Sequence, residues 1–433
     1  MNWLKKLINK VLASEIAKVF SLNAVSTLIH MCTGLISTKV VASIIGPSGV
    51  ALLGQLNNIN SMFQGLAAGG IRGGLTKYIA EFKTDENKVK SYISNALKIS
   101  TIFTLIISLI CVFLHKFLSR KILLSDEYGY VFIILGITIY LFSLNSLLVS
   151  ILNGYKEFNK YVVVNISASI FSLVFSVTLC AVWGLKGAMV SAVTFQSVII
   201  FVTIYQCRKC SWFKISNFLG SIDRDIINKF LQYTLMAVVP MCISPISQMF
   251  LRGYVIREIS PIEAGWWEAM NRISSIYLSV ITTSMSVYIL PRMSEITNKW
   301  ELKQELIKYY KFIIPILLVC TVIIYALRHF IIWVLYTPEF YPMENLFLWQ
   351  LVGDLFKMAS WLLAYLMLAK AKTRLFISTE IIFGIIMLCF CYMGVKNLGT
   401  IGLNIGYMFN YIVYFITMVI VFKDILFCRK PKK

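Results

Sequence analysis

The sequence predicts an all-α polytopic membrane protein of about twelve transmembrane helices, in two six-helix lobes related by a parallel pseudo-twofold repeat. Three observations carry that expectation. Of 433 residues, 58% are hydrophobic and 14% charged, and the mean hydropathy is +0.76, whereas a soluble domain has roughly a quarter of its residues charged. The lysines and arginines recur between apolar runs instead of forming one basic domain, so the net charge of +21 reads as a positive-inside bias and not as a nucleic-acid surface. The third observation is an offset of about half the chain at which turn and polar residues coincide.

In chain order, residues 1–18 read as an interfacial amphipathic segment. Trp3, Leu4, Leu7, Ile8, Val11 and Leu12 share one helical face and Lys5, Lys6 and Lys10 the other, which suits a helix lying on an anionic leaflet. The apolar run from Val19 is too long for a signal peptide and has no small-x-small cleavage site, so the N-terminus is expected to stay in the cytoplasm. Runs long enough to cross a bilayer then fall at 19–45, 50–78, 93–114, 130–151, 161–183, 187–206, 230–256, 264–290, 312–335, 345–369, 376–395 and 401–422. They define an N-lobe (19–206), a cytoplasmic linker (207–229), a C-lobe (230–422) and a basic cytoplasmic tail (423–433). With the N-terminus inside, the outer loops hold only Lys116, Arg120, Lys121, Lys186, Arg257 and Lys396. The reverse orientation would invert a more than fourfold bias. The ten cysteines lie mostly in apolar runs, as small hydrophobes do, and Cys207-x-x-Cys210 lacks the second ligand pair of a zinc site.

The halves repeat. At an offset of 214, Pro47 falls on Pro261, Asn57 on Asn271, Ile59 on Ile273, Ser61 on Ser275 and Glu81 on Glu295. At 215, Gly184-x-x-Gly187 falls on Gly399-x-x-Gly402. An even number of helices per half makes the repeat parallel, with its axis along the membrane normal.

An ionisable group at membrane depth costs a few kcal/mol and so normally faces a cavity or a partner. The second span is the most polar, with Gln55, Asn57, Asn58, Asn60 and Gln64 followed by five glycines around Arg72. It reads as cavity lining or as a helix buried by small-residue packing. Arg272, three turns into the eighth span, is a candidate anion contact, or the i,i+4 partner of Glu268. Arg252 and Lys39 are further candidates, with snorkelling as the alternative for each. Asp354 and Lys357 share a face at i,i+3, either as a self-neutralising pair or as a substrate or proton site. His30 is a proton carrier or a satisfied buried histidine, and Glu380, near the cytoplasmic edge, is left aside. Phosphate is the anion that suits buried arginine, which stays charged and binds its oxygens bidentately. There is no Walker loop, HExxH or nucleophile elbow, so neither ATP hydrolysis nor a catalytic residue nor a metal is expected.

The stretch Gly74-Leu-Thr-Lys-Tyr-Ile-Ala-Glu81, then Ser286-Val-Tyr-Ile-Leu-Pro291, and above all Leu348-Trp-Gln-Leu-Val-Gly-Asp-Leu-Phe-Lys357 followed by Leu368-Ala-Lys-Ala371, resemble the O-antigen and lipid-linked oligosaccharide flippases of the multidrug/oligosaccharidyl-lipid/polysaccharide exporter superfamily. The resemblance runs nearly end to end. It implies a V-shaped, two-lobed protein of the bacterial inner membrane that moves an undecaprenyl-diphosphate-linked sugar repeat from the cytoplasmic to the periplasmic leaflet by alternating access. By position, Arg72, Arg252, Arg272 and Lys39 are the residues to which it assigns the headgroup and sugar; Asn57 and Asn58 join them as polar cavity lining of the second span, and His30, Glu268, Asp354 and Lys357 remain for coupling or ion pairing. No cofactor is implied beyond proton or sodium coupling and the membrane potential. The partners implied are the lipid-linked oligosaccharide, membrane lipids and the polysaccharide polymerase and chain-length machinery, with the chain itself a monomer. A multidrug exporter of the same superfamily would favour cavity carboxylates where this chain buries cations. A membrane polymerase or ligase would present a long outer loop, whereas the longest one here is about 15 residues, around 115–129.

Overall fold

The computed structural model describes residues 15–285, 289–370 and 372–428. Most of the expected interfacial segment, the last five residues of the tail, Ser286, Val287, Tyr288 and Ala371 lie outside the described residues. Among those described, regular structure is helical and no strand is present.

The main helices are α1 (Glu15–Ala67), α2 (Arg72–Glu81), α3 (Glu86–Phe113), α4 (Gly129–Gly154), α5 (Phe158–Val198), α6 (Ile200–Cys207), α7 (Arg224–Glu258), α8 (Pro261–Ser284), α9 (Lys299–Ala326), α10 (Arg328–Leu335), α11 (Glu344–Ala369), α12 (Thr373–Leu398) and α13 (Ile401–Val421). Each expected span has a helical counterpart here. Among the described residues, 8 continuous helical stretches are long and apolar enough to cross a membrane, and two of them, 25–81 and 158–207, are long enough for two crossings. Of the remaining helices, α8 is less apolar because it carries Glu263, Glu268 and Arg272.

The first long stretch breaks twice, for reasons visible in the residues. Gly46 (φ 63, ψ −176) adopts a conformation open to glycine at little cost, and Pro47, with φ preset and no N–H to satisfy, restarts the helix. A second break at Gly69 and Gly70 (φ 66 and 62) separates α1 from α2. In lipid the carbonyls released there need donors. Thr104 Oγ1 and Ser143 Oγ donate to Ala67 O at 3.0 and 3.2 Å, and Thr234 Oγ1 to Gly69 O at 2.5 Å.

Two compact units emerge, one comprising the chain to Ile44 with Leu56–Val238, the other Ile45–Gln55 with Val239–Lys433. The stretch 207–229, expected as a linker, is packed onto the first unit. Cys207, Cys210, Trp212, Ile226 and Phe230 join a core with Leu75, Tyr92 and Ile93. Asn95 donates to Ser221 O and accepts from Asp223 N, while Lys98 Nζ reaches Gly220 O at 2.5 Å. The expected outer loop at 115–129 is folded as well. Arg120 grips Asp126 with two nitrogens at 2.9 and 2.8 Å, and this hydrogen bonding holds the Asp126 carboxyl below its ordinary pKa.

Two hairpins share one geometry at the offset of 215. Gly184 (φ 56, ψ −133) turns α5 back, and Gly399 (φ 62, ψ −149) joins α12 to α13. Three residues on, a Cβ on Gly187 would fall 1.8 Å from Leu179 O, and one on Gly402 would fall 2.0 Å from Gly394 O. Only glycine permits such backbone approach. Gly402→Ala is therefore expected to force the helix pair apart and cost about 1–3 kcal/mol, read as a lower thermal midpoint in detergent. Gly34→Ala, where a methyl meets nothing within 4 Å, should match or exceed the wild type. Equal midpoints for the two variants would refute the close approach.

Candidate functional site

The break in the second span sets the position of Arg72. As the first residue of α2, it sits where the helix dipole is positive and anions are favoured. Its Nε donates to Ser146 Oγ and its guanidinium lies 5.3 Å from the Phe142 ring centre. Ser100, Ser143 and Ser150 line the same small recess. The side chain is exposed, and among the described residues its η nitrogens make no hydrogen bond to protein. The result is an oriented, open guanidinium; the neighbouring hydroxyls of Ser100, Ser143 and Ser150 donate to backbone carbonyls.

Its surroundings divide the polar second span. Gln55, Asn60 and Gln64 are buried, and Asn60 Nδ2 donates to Ala192 O at 2.9 Å, so part of this set is packing. Asn57, Asn58 and Lys39 are half-buried, and Lys39 and Asn58 have contacts of their own. His30 is exposed, with Nδ1 at 3.2 Å from Ser169 Oγ.

In the second unit the expected roles of Arg252 and Glu268 change. Arg252, read as a headgroup contact, is 0% exposed. Its Nη1 donates to Gln55 Oε1 at 3.1 Å and its Nη2 to Glu268 Oε2, while the guanidinium lies 5.4 Å from the Trp267 ring centre. Gln55 is held in turn by donating to Met249 O at 3.0 Å. This guanidinium is sealed in protein, with Nη1 and Nη2 satisfied and Nε buried without a partner. Glu268 consequently pairs with Arg252 and not with Arg272, the i,i+4 partner expected from spacing. Gly54 leaves room for the carboxyl, since a Cβ there would lie 2.6 Å from its carbon. Arg272 is half-buried, and among the described residues its guanidinium makes no hydrogen bond or ion pair.

Of the two readings of Asp354 and Lys357, the self-neutralising pair is not formed. Asp354 is 0% exposed and accepts from Ser274 Oγ at 2.5 Å, Tyr277 OH at 2.5 Å, Tyr407 OH at 2.7 Å and Gln350 Nε2 at 3.3 Å. Gln350 is fixed by Asn404 at 2.8 Å. Lys357 instead faces the rings of Trp361, Tyr407 and Tyr411 at 5.2, 5.6 and 5.5 Å. With Glu380, which the sequence reading set aside, it lines a cavity of about 400 Å³. The hydroxyl and amide partners were missed because each sits singly in an apolar run. The available signal was the spacing of Asn404, Tyr407, Tyr411 and Tyr414, which repeats along one face of α13.

Residues 16–297 match the sequence profile of the polysaccharide biosynthesis protein family. The chain belongs to that family. Among its relatives are the lipid III flippases of Escherichia coli (strain K12) and Shigella flexneri, each 26% identical over 401 residues, 93% of this chain and 96% of theirs. Among solved structures, the inward-facing conformation of a multidrug resistance MATE family transporter of the MOP superfamily superposes with a TM-score of 0.77 at 15% identity, covering 93% of this chain and 100% of that one. The lipid II flippase MurJ in its inward closed conformation gives 0.72 at 14%, covering 92% and 87%. At these identities the shared property is the fold. This member of the polysaccharide biosynthesis protein family is thus an all-helical, multi-pass membrane protein built on the fold of MOP-superfamily transporters.

Proposed function

We propose that the protein is a flippase, not an enzyme, that moves an undecaprenyl-diphosphate-linked O-antigen repeat from the cytoplasmic to the periplasmic leaflet of the bacterial inner membrane. Both termini are then cytoplasmic, and two lobes related by a pseudo-twofold axis work by alternating access. The observation that carries the reading is Arg72: an exposed guanidinium, oriented through Nε by Ser146, at the start of a helix. That is diphosphate-binding chemistry. Arg272, free of ion pairs among the described residues, is the second headgroup cation, with Lys39, Asn57 and Asn58 contributing to the polar lining. Family membership and the named activity of the flippases matched over 93% of the chain support it. A cationic drug would find these guanidinium groups repulsive, which disfavours the multidrug reading. Outward movement of a diphosphate from a negative interior is downhill by about 2.3 kcal/mol per charge at 100 mV, so the membrane potential drives the cycle, assisted by a proton or sodium ion.

The test is flipping of the lipid-linked repeat in proteoliposomes. Arg72→Ala and Arg272→Ala should each slow it about 10- to 100-fold, the worth of one charge-assisted phosphate contact, and should abolish surface polysaccharide in cells while the protein still inserts. Normal polysaccharide in both variants would overturn the headgroup assignment. In the same vesicles, a rate indifferent to both an imposed potential and a pH gradient would remove the energy source.

A further inference from the structure

The cavity of about 400 Å³ in the second unit lies within the span of volumes typical of small-ligand sites. Its lining comes from α7, α11, α12 and α13, with Trp361, Phe376, Phe383 and Tyr411 forming much of the wall. Three polar side chains that line it have no hydrogen bond or ion pair to the protein among the described residues. These are the Lys357 ammonium, the Glu380 carboxylate and Asn410, which is 3% exposed with a buried, unpartnered Oδ1. A buried polar group without a partner costs about 1–3 kcal/mol, more if charged. Asn410 is such a group, and with the half-buried Lys357 and Glu380 facing the same void the arrangement implies an occupant that hydrogen-bonds to all three.

The lining restricts what that occupant is. A bare cation is opposed by Lys357 and a bare anion by Glu380. A polyprenyl or acyl chain suits the aromatic wall but leaves all three polar groups unsatisfied. A neutral saccharide meets every requirement. Its hydroxyls donate to Glu380 and to Asn410 Oδ1 and accept from Lys357, and its C–H face, weakly positive, lies on the negative faces of Trp361 and Tyr411. Resting on the flippase reading, we propose that this cavity binds a neutral sugar unit of the carried glycan. The second unit thereby reads the saccharide, a task distinct from holding the diphosphate.

Saturation-transfer NMR tests this with the full-length protein in lipid nanodiscs and free N-acetylglucosamine as the probe. The wild type transfers saturation to the sugar's ring protons. Glu380→Gln and Trp361→Leu each lower that transfer by about fivefold or more, a loss of at least one contact's worth, while Trp333→Leu, an exposed site on α10, leaves it unchanged. Asn410→Leu removes the orphaned amide, so it keeps or raises the thermal midpoint while losing the sugar signal, which separates a binding role from a folding one. No transfer in the wild type, or equal transfer in all four variants, overturns the proposal. The flipping assay is independent of this readout. A protein that flips the lipid-linked repeat yet binds no sugar sinks the cavity assignment alone, and one that binds sugar without flipping sinks the flippase reading.

Discussion

Glu268→Ala should prevent the protein from accumulating in the membrane, or lower its thermal midpoint in detergent by the equivalent of about 3–5 kcal/mol. The reason is asymmetric. Arg252 is 0% exposed, so with Glu268 gone its charge keeps only the Gln55 oxygen at 3.1 Å and the quadrupole of Trp267. Removing one member of a buried pair is far worse than removing both, because the survivor has neither water nor counter-charge. The double variant Arg252→Met/Glu268→Leu should therefore recover most of the loss, and Glu268→Gln, which retains an acceptor but no charge, should fall between. If Glu268→Ala matches the wild type in yield and midpoint, or the double variant is worse than the single, the pair is not what holds Gln55 and α7 and α8 together.

That pair also marks where sequence reasoning stops. Spacing along one helix exposes i,i+4 neighbours, so the alternative it offers for Glu268 is Arg272. The actual partner sits 16 residues away on another helix, chosen by how α7 and α8 cross. The spans themselves were legible because hydropathy is a local property. Even so, the helix around 93–114 begins at Glu86, since Asp85 caps it by accepting from Lys88 N at 3.1 Å and hydropathy registers only the part within lipid. Glycines around Arg72 announced a bend but not its site; the break falls at Gly69 and Gly70, where Thr104, Ser143 and Thr234 supply the hydroxyls that make it affordable. Of the candidate cations, Arg72, Arg252 and Arg272 were all legible as arginines at membrane depth. Which of them are open was not, because depth in the membrane says nothing about whether a guanidinium meets water or protein.

Asp354→Ala is the second large effect, about 3–5 kcal/mol, and it comes from hydrogen bonds instead of charge pairing. Three hydroxyls on two other helices, Ser274 and Tyr277 on α8 and Tyr407 on α13, converge on this carboxylate at 2.5 to 2.7 Å. Bonds to a charged acceptor contribute about 1.5–3 kcal/mol each, and the buried hydroxyls left behind have no water to turn to. Asp354→Asn keeps one acceptor oxygen but points an amide at donors, so it should lose less. Because the donors share one acceptor, the costs cannot add. Adding Tyr407→Phe to Asp354→Ala should cost little further, since the phenol it deletes is already orphaned, whereas Tyr407→Phe alone should cost about 1–2 kcal/mol. This arrangement makes Asp354 a clamp joining α8, α11 and α13, in place of the ion pair with Lys357 that was one of the two readings of their spacing. The folded fraction of Asp354→Asn should consequently flip the lipid-linked repeat with the pH dependence of the wild type. A shifted pH profile at unchanged thermal midpoint would instead make the carboxylate a proton carrier.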